Sequence, residues 1–223
     1  MRGVFVTGTD TGVGKTVVAG AICAALAARG ERVAAFKPVV TGTAEESGDW
    51  PPDHELLASA ASAGQSTIEV APVTFGPPVS PHYAAELAGS EIDAAQLRDT
   101  ACSAAAGVDA LVCEGVGGLL VPLTLDYSVR DLAADLGVPL VIVARTGLGT
   151  INHTLLTVAA ARSAGLHVAG VVMTPWAADP EPIERSNRAT VERLSGVAVS
   201  ALPHATPATL AAAGAELPLD DWL

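Results

Sequence analysis

Positive charge is scarce in this chain. Its 223 residues hold 12 Lys and Arg against 24 Asp and Glu, a formal net charge of −12. So large an acidic excess repels nucleic acid and anionic membrane, so neither is an expected partner. A small anion remains acceptable wherever a local cluster of cations concentrates it. Cysteine is also sparse: Cys23, Cys102 and Cys113 are odd in number, far apart and in no CxxC pair. That argues against a disulfide framework or a zinc site and for three reduced thiols in the core. Aromatics make up 4% and charged residues 16%, whereas 50% of the chain is hydrophobic. Such a composition excludes a disordered chain, and the length suits one compact domain over residues 1–223. Uninterrupted apolar runs are missing too. Despite a mean hydropathy of +0.42, Gly, Pro or a charge breaks every stretch before it could span a bilayer. Met1-Arg2-Gly3 leads directly into Val4-Phe5-Val6, too short for a signal-peptide core, so a cytoplasmic enzyme is expected.

What recurs is a short apolar run, a Gly-containing turn and an alanine-rich helical stretch. The pattern predicts strands at 3–7, 33–37, 110–114, 139–144, 168–173 and 197–202. It predicts helices at 15–29, 53–63, 93–106, 128–136, 150–164 and 181–194. The strands are near-continuous Val, Leu and Ile runs, which implies burial on both faces. The expected fold is therefore α/β: a single P-loop domain with a mostly parallel central sheet and helices on both faces. Ligands of such sheets bind beyond the carboxyl ends of the strands.

The first strand runs into Gly8-Thr9-Asp10-Thr11-Gly12-Val13-Gly14-Lys15-Thr16. Strand, Gly-rich loop and helix in this order form a phosphate cradle. The glycines allow backbone N–H groups to wrap around phosphates, and the helix N-terminus adds its dipole. Lys15 is placed to bridge the β- and γ-phosphates and Thr16 to meet Mg²⁺. Gly12, Val13, Gly14, Lys15, Thr16 and Val17 are thus the nucleotide-binding candidates. The usual G-x-x-x-x-G-K-[ST] spacing would put its first Gly at Thr9, so this loop is one residue longer and begins at Gly8.

A carboxylate for the metal is expected after an apolar strand. Glu114 stands there, followed by Gly115-Val116-Gly117-Gly118; alone it would read as a solvated turn residue. Asp53 opens a helix and suits an N-cap as well as a metal ligand, and Asp49 competes with it. Lys37 ends the second strand at the ligand edge. A buried cation there is costly unless it meets an anion, so we read it as a stabiliser of a transferring phosphoryl group or an oxyanion, not as a surface lysine. His82, in an expected loop, and His153, one turn inside a helix, read as structural. Arg145-Thr146-Gly147, after a buried strand, reads as a contact with solvent or a partner subunit.

Five blocks carry a resemblance to the dethiobiotin synthetases of the biotin pathway. They are Gly8 to Thr16, Lys37-Pro38-Val39 with Thr41-Gly42, Ser80-Pro81-His82, Glu114 to Gly118, and Gly149-Thr150-Ile151-Asn152-His153. They fall in the family's order and cover essentially the whole chain. The resemblance implies an ATP- and Mg²⁺-dependent joining of CO₂ to 7,8-diaminononanoate, through a carbamate and a carbamic–phosphoric anhydride, to give a cyclic urea, ADP and phosphate. It implies that Lys15 and Lys37 act on the carbamate and the transferring phosphoryl group. Thr16, Asp53 and Glu114 gather the metal, with Gly115, Val116 and Gly117 beside the nucleotide. Thr11 and Thr41 bind phosphate or substrate. Gly149, Thr150, Ile151 and Asn152 hold the substrate carboxylate in the other subunit of a homodimer. The adenine-reading Asn of the family corresponds to Thr174, followed by Pro175, with Pro203, His204 and Ala205 as the other wall. Thr174 cannot match adenine's donor–acceptor edge, so other nucleoside triphosphates are expected to serve as well. Two rivals share the loop. A small-molecule kinase would need an Arg-rich lid, which is not evident. A partition or septum-positioning ATPase would carry a second lysine early in the loop, where this chain has Asp10.

Overall fold

A computed structural model describes residues 1–45 and 50–223. In chain order its elements are β1 (Gly3–Gly8), α1 (Lys15–Ala28), β2 (Val33–Phe36), β3 (Val39–Thr41), α2 (Asp53–Ala60), α3 (Thr67–Val70), β4 (Val73–Phe75), α4 (Pro81–Leu87), α5 (Ala94–Ala104), β5 (Ala110–Gly118), β6 (Pro122–Thr124), β7 (Tyr127–Ser128), α6 (Val129–Leu136), β8 (Leu140–Ala144), α7 (Thr150–Ser163), β9 (Val168–Trp176), α8 (Pro182–Ser195), β10 (Val199–Pro203), α9 (Leu210–Gly214) and α10 (Leu219–Trp222).

Six strands form one parallel sheet in the order β10-β9-β8-β1-β5-β2. Each strand is covered on both faces, because successive side chains point to opposite sides. Val4 and Val6 of β1 join Val112, Val141 and Val143 under α1, α2, α9 and α10. Phe5 joins Leu111, Cys113, Ile142 and Met173 under α5, α6, α7 and α8. The continuous apolar runs thus split into two cores by alternation. The connection from β1 leaves toward β2, while β8 lies on the other side of β1, so the chain reverses its winding beside β1. That crevice lies at the carboxyl end of the phosphate-loop strand.

Most expected elements form, with shifted ends. β5 continues four residues past Glu114, because Gly118 still pairs with Gly8; Gly-Val-Gly-Gly reads as a turn only in isolation. β9 extends to Trp176, which pairs with Pro203. β2 stops at Phe36, and the Lys37 N–H donates to the Val70 carbonyl. His82 lies in the helix α4, not in a loop, and Cys102 on α5 is exposed, so only Cys23 and Cys113 are core thiols. Periodicity missed the short pieces: the β3–β4 pair, the β6–β7 hairpin, α3, α4, α9 and α10. Each is too short to show a period, and their packing comes from distant segments. Among the described residues, no helix is long and apolar enough to cross a membrane.

Candidate active site

Gly14 caps α1 in the left-handed region, at φ 93°. No side chain bonds the first turn of this helix, so its N–H groups are left for a ligand. Gly8 has no room for a side chain: a Cβ there would lie 2.8 Å from both the Asp10 carbonyl and Val13, and 3.1 Å from the Lys15 stem. This is why the longer loop begins with glycine. The Lys15 ammonium lies back over the loop and donates to the Asp10 carbonyl at 2.9 Å.

The carboxyl ends of β1, β2 and β5 bring the charged side chains together. Lys37 donates to Asp53 Oδ2 and to Glu114 Oε1, both at 2.6 Å. Thr16 donates to the same Glu114 oxygen at 3.0 Å. Asp53 is the first residue inside α2, after the N-cap Pro52, so its carboxylate is committed to Lys37 and not to capping. Asp49, its rival in sequence, lies outside the described residues. The chain has just two lysines, and both stand here. Burial pulls the Lys37 ammonium down, but Glu114 and Asp53 more than compensate and hold it charged. Burial lowers Lys15, with Glu114 only partly opposing it. Burial pushes Glu114 up against the pull of Lys37. For Asp53 the attraction of Lys37 outweighs burial, and its pKa falls.

Glu114 Oε2 is buried with no hydrogen-bond partner among the described residues. A buried, orphaned carboxylate oxygen beside a second carboxylate and a threonine hydroxyl forms an all-oxygen donor set, which fits a hard cation such as Mg²⁺.

These groups line a cleft of about 630 Å³, whose walls include Thr11, Gly12, Gly14, Val17, Thr41, Val116 and Gly117. Ser80 and Pro81 line it as well. A second cavity of about 460 Å³ joins the phosphate loop through Gly12, Val13, Gly14 and Val17; it brings Thr174, Pro175, His204 and Ala205 together with Arg145, Thr146 and Gly147. The two cavities share the loop and Trp50. A nucleotide lying across them would have its phosphates at the lysines and its base near Thr174.

Not every expected residue lies there. Gly115 is packed into the core, where a Cβ would meet Val129 at 2.7 Å and Phe5 at 3.1 Å. Pro203 ends β10 and lines neither cavity. Gly149, Thr150, Ile151 and Asn152 also line neither cavity of their own chain. Gly149 caps α7, and the Thr150 hydroxyl donates to the Arg145 carbonyl at 2.6 Å. Arg145 does more than face solvent: its Nη2 donates to the Thr11 carbonyl at 3.0 Å. Sequence reasoning missed Trp50 and this role of Arg145. For Arg145 a signal existed, since a cation directly after a buried strand is the same pattern that singled out Lys37. Trp50 gave none, because it belongs to no periodic element of the sequence.

A family model described as an AAA domain matches residues 2–208. Curated proteins similar to the chain include an ATP-dependent dethiobiotin synthetase BioD of Anaeromyxobacter dehalogenans, 45% identical over 87% of this chain and 86% of that protein. One from Bacillus subtilis is 37% identical over 89% and 85%. Among solved structures, the cell division ATPase MinD of Pyrococcus furiosus superposes with a TM-score of 0.56, at 17% identity over 99% of this chain and 97% of that one. A ParA family ATPase from Chlorobium tepidum gives 0.53 at 14% identity, over 97% and 91%. At such identities these two structures establish the fold alone.

Proposed function

The chain belongs to the ATP-dependent dethiobiotin synthetase family, and we propose that it carboxylates 7,8-diaminononanoate and closes the ring of dethiobiotin through a carbamate and then an activated carbamic–phosphoric anhydride. The observation that carries this reading is the convergence of Lys15, Lys37, Thr16, Asp53 and Glu114 in one cleft beside the phosphate loop. Among the described lining residues Ser80 is the sole Ser, Cys or His, and no base is hydrogen-bonded to its hydroxyl to activate it as a nucleophile. The proposed reaction needs none: it needs anions positioned and their charge neutralised.

In the first step an amine of the substrate adds to CO₂ and loses a proton, giving a carbamate. In the second, a carbamate oxygen displaces ADP from the γ-phosphoryl group, giving a mixed anhydride. In the third, the second amine attacks the anhydride carbonyl, phosphate leaves, and a proton is released as the cyclic urea forms. Lys37 stays protonated between its carboxylates and is the fixed positive charge beside the carbamate and the transferring group. Lys15 leaves the Asp10 carbonyl to span nucleotide and carbamate. Thr11 and Thr41 give hydroxyl donors on the cleft wall. Thr16, Asp53 and Glu114 would hold Mg²⁺, which neutralises phosphate charge when bound. The substrate tail ends in a carboxylate, and no cation in this cleft is left over for it. We assign it to the N-terminus of α7 in a second subunit, where the Ile151 and Asn152 N–H groups have no backbone acceptor among the described residues.

Incubation with ATP, Mg²⁺, bicarbonate and the diamine, followed by mass spectrometry, tests the reading. The expected product has the mass of the cyclic urea, with phosphate released only when both diamine and CO₂ are present. Phosphate release without diamine would instead favour an ATPase switch.

A further inference from the structure

The Asp10–Thr11 limb of the phosphate loop is tied from three sides. Asp10 Oδ1 accepts the Thr11 N–H at 2.7 Å. The Lys15 ammonium donates to the Asp10 carbonyl at 2.9 Å. Arg145 Nη2 donates to the Thr11 carbonyl at 3.0 Å and lies 3.8 Å from Asp10 Oδ2. The first two ties are local. The third comes from the end of β8, on the far side of β1, so tertiary structure supplies it.

Arg145 is itself held. Its carbonyl accepts the Thr150 hydroxyl at 2.6 Å. The next two carbonyls, of Thr146 and Gly147, accept the amide of the buried Asn187 at 2.8 and 3.0 Å. A surface arginine serving only solubility has no need of so many supports. Thr11 is thereby restrained at both its N–H and its carbonyl, while its hydroxyl faces the cleft: a Cβ on Gly117 would lie 3.5 Å from Thr11 Oγ1.

We propose that Arg145 is a positioning residue for ring formation, acting through the Thr11 peptide to present the Thr11 hydroxyl to the diamine and its carbamate. The inference rests on the reaction proposed above. The tie is made by protein groups alone, so the fold itself orients the donor, and preorganisation of this kind is where hydrogen bonds contribute most to rate. The guanidinium also borders the second cavity, so direct nucleotide binding is the competing role.

The test compares the full-length wild type with Arg145→Ala, Arg145→Lys, Thr11→Val and the double variants. Wild-type formation of the cyclic urea comes first; its absence sinks the proposed reaction and this inference with it, whereas the variant outcomes below bear on this inference alone. Given that activity, Arg145→Ala should lower kcat/KM for the diamine by about tenfold, the scale of one charge-assisted hydrogen bond. The Kd of a non-hydrolysable ATP analogue, by calorimetry, should stay within roughly threefold, since the amides of the first turn remain. Arg145→Lys should recover part of the loss, because an ammonium reaches the same carbonyl. In the Thr11→Val background, either Arg145 change should have little further effect, as two residues acting through one group are non-additive. Fully additive losses would overturn the proposal, as would a weakened analogue Kd with an unchanged kcat. Should Arg145→Ala fail to fold, the cycle of Arg145→Lys with Thr11→Val decides alone.

Discussion

Lys15 and Lys37 differ in what they lean on, and that difference separates their roles. Lys15 rests on a backbone carbonyl of the loop, which phosphate would replace. Lys37 is pinned between Asp53 and Glu114 and does not depend on nucleotide for its place. Replacing either with Ala is expected to reduce turnover by about 10²–10³, the usual loss for one preorganised charge-stabilising donor. Lys37→Ala should weaken nucleotide binding less than Lys15→Ala. Steady-state kinetics with titration of an ATP analogue would check this, and near-normal turnover by Lys37→Ala would remove it from the chemistry. Thr174 supports a second expectation. Its methyl group points back at the loop, since a Cβ on Gly14 would lie 2.8 Å from Thr174 Cγ2. Pro175 beside it has no N–H. Neither offers adenine a paired donor and acceptor, so CTP and GTP should support turnover within roughly tenfold of ATP, as a lost hydrogen-bond pair is worth about 1–3 kcal/mol. Competition among the three nucleotides at equal concentration measures this, and a hundredfold preference for ATP contradicts it. The lysines were readable from sequence, because a cation at a buried strand end is conspicuous. The pairing of Lys37 with Glu114 was not, because it joins positions 77 residues apart.

Among the elements, α9 and α6 show how close packing and end-capping set local stability. α9 lies against α1, and Gly214 is where they meet: a Cβ there would sit 2.0 Å from the Ala21 carbonyl oxygen. Backbone cannot yield as a side-chain tip does. Gly214→Ala should therefore destabilise by about 1–3 kcal/mol or more, the range for overpacking, and thermal unfolding would register it as a lower Tm. The second element is α6, whose start is fastened by Ser128 and Asp131 in a reciprocal cap. Burial raises the Asp131 carboxyl, but bonds from the Ser128 hydroxyl and N–H and from Arg130 prevail and lower it. The folded value thus lies below the unfolded one of roughly 3.9. The cap's ionic contribution is complete above that unfolded value and disappears as pH falls through the lower, folded one. Asp131→Asn should cost about 1 kcal/mol at neutral pH and nothing comparable at strongly acidic pH. Denaturant titrations at the two pH values would show whether the gap closes. Both elements show the limits of sequence periodicity. The α6 cap is a local pattern that reads directly from Ser128-Val129-Arg130-Asp131, whereas α9 is five residues long and its role appears only where it touches α1.

At the scale of the molecule, the unmet requirement is a place for the substrate's carboxylate. The α7 N-terminus lines neither cavity of its own chain, and Leu148 beside it is 92% exposed and Leu156 61%. A large apolar residue left in water at a helix start assigned to substrate binding is consistent with burial in an assembly. The protein is therefore expected to be a homodimer with each cleft completed by its partner. Sedimentation at assay concentration checks this, and a fully active monomer would refute it. An Asn152→Asp change should raise KM for the diamine, by placing a negative charge at the proposed carboxylate site, while leaving the Kd of an ATP analogue within about threefold, since its effect on the phosphates is screened at that distance.

Sequence by itself determined the class of fold and the chemistry of the loop. The alternation of buried apolar runs with alanine-rich helices left one architecture able to cover every strand twice. Gly12, Gly14, Lys15 and Thr16 form a phosphate cradle through local backbone geometry, so their meaning is contained in consecutive residues. Glu114 and Lys37 could be singled out by their positions at strand ends, because the carboxyl edge of a parallel sheet is where polar side chains converge. Tertiary structure decided the rest. It chose Lys37 as the partner of Asp53 instead of leaving that carboxylate to cap a helix. It left one oxygen of Glu114 without a donor, set Thr174 against the loop, and brought Arg145 across β1 to the Thr11 carbonyl. Each of these is a contact between segments far apart in the chain. Such contacts are set by strand order and by the registers β1 keeps with β5 and β8, and hydrophobic periodicity, which reports only the buried face of each segment, carries no information about which neighbour will cover it.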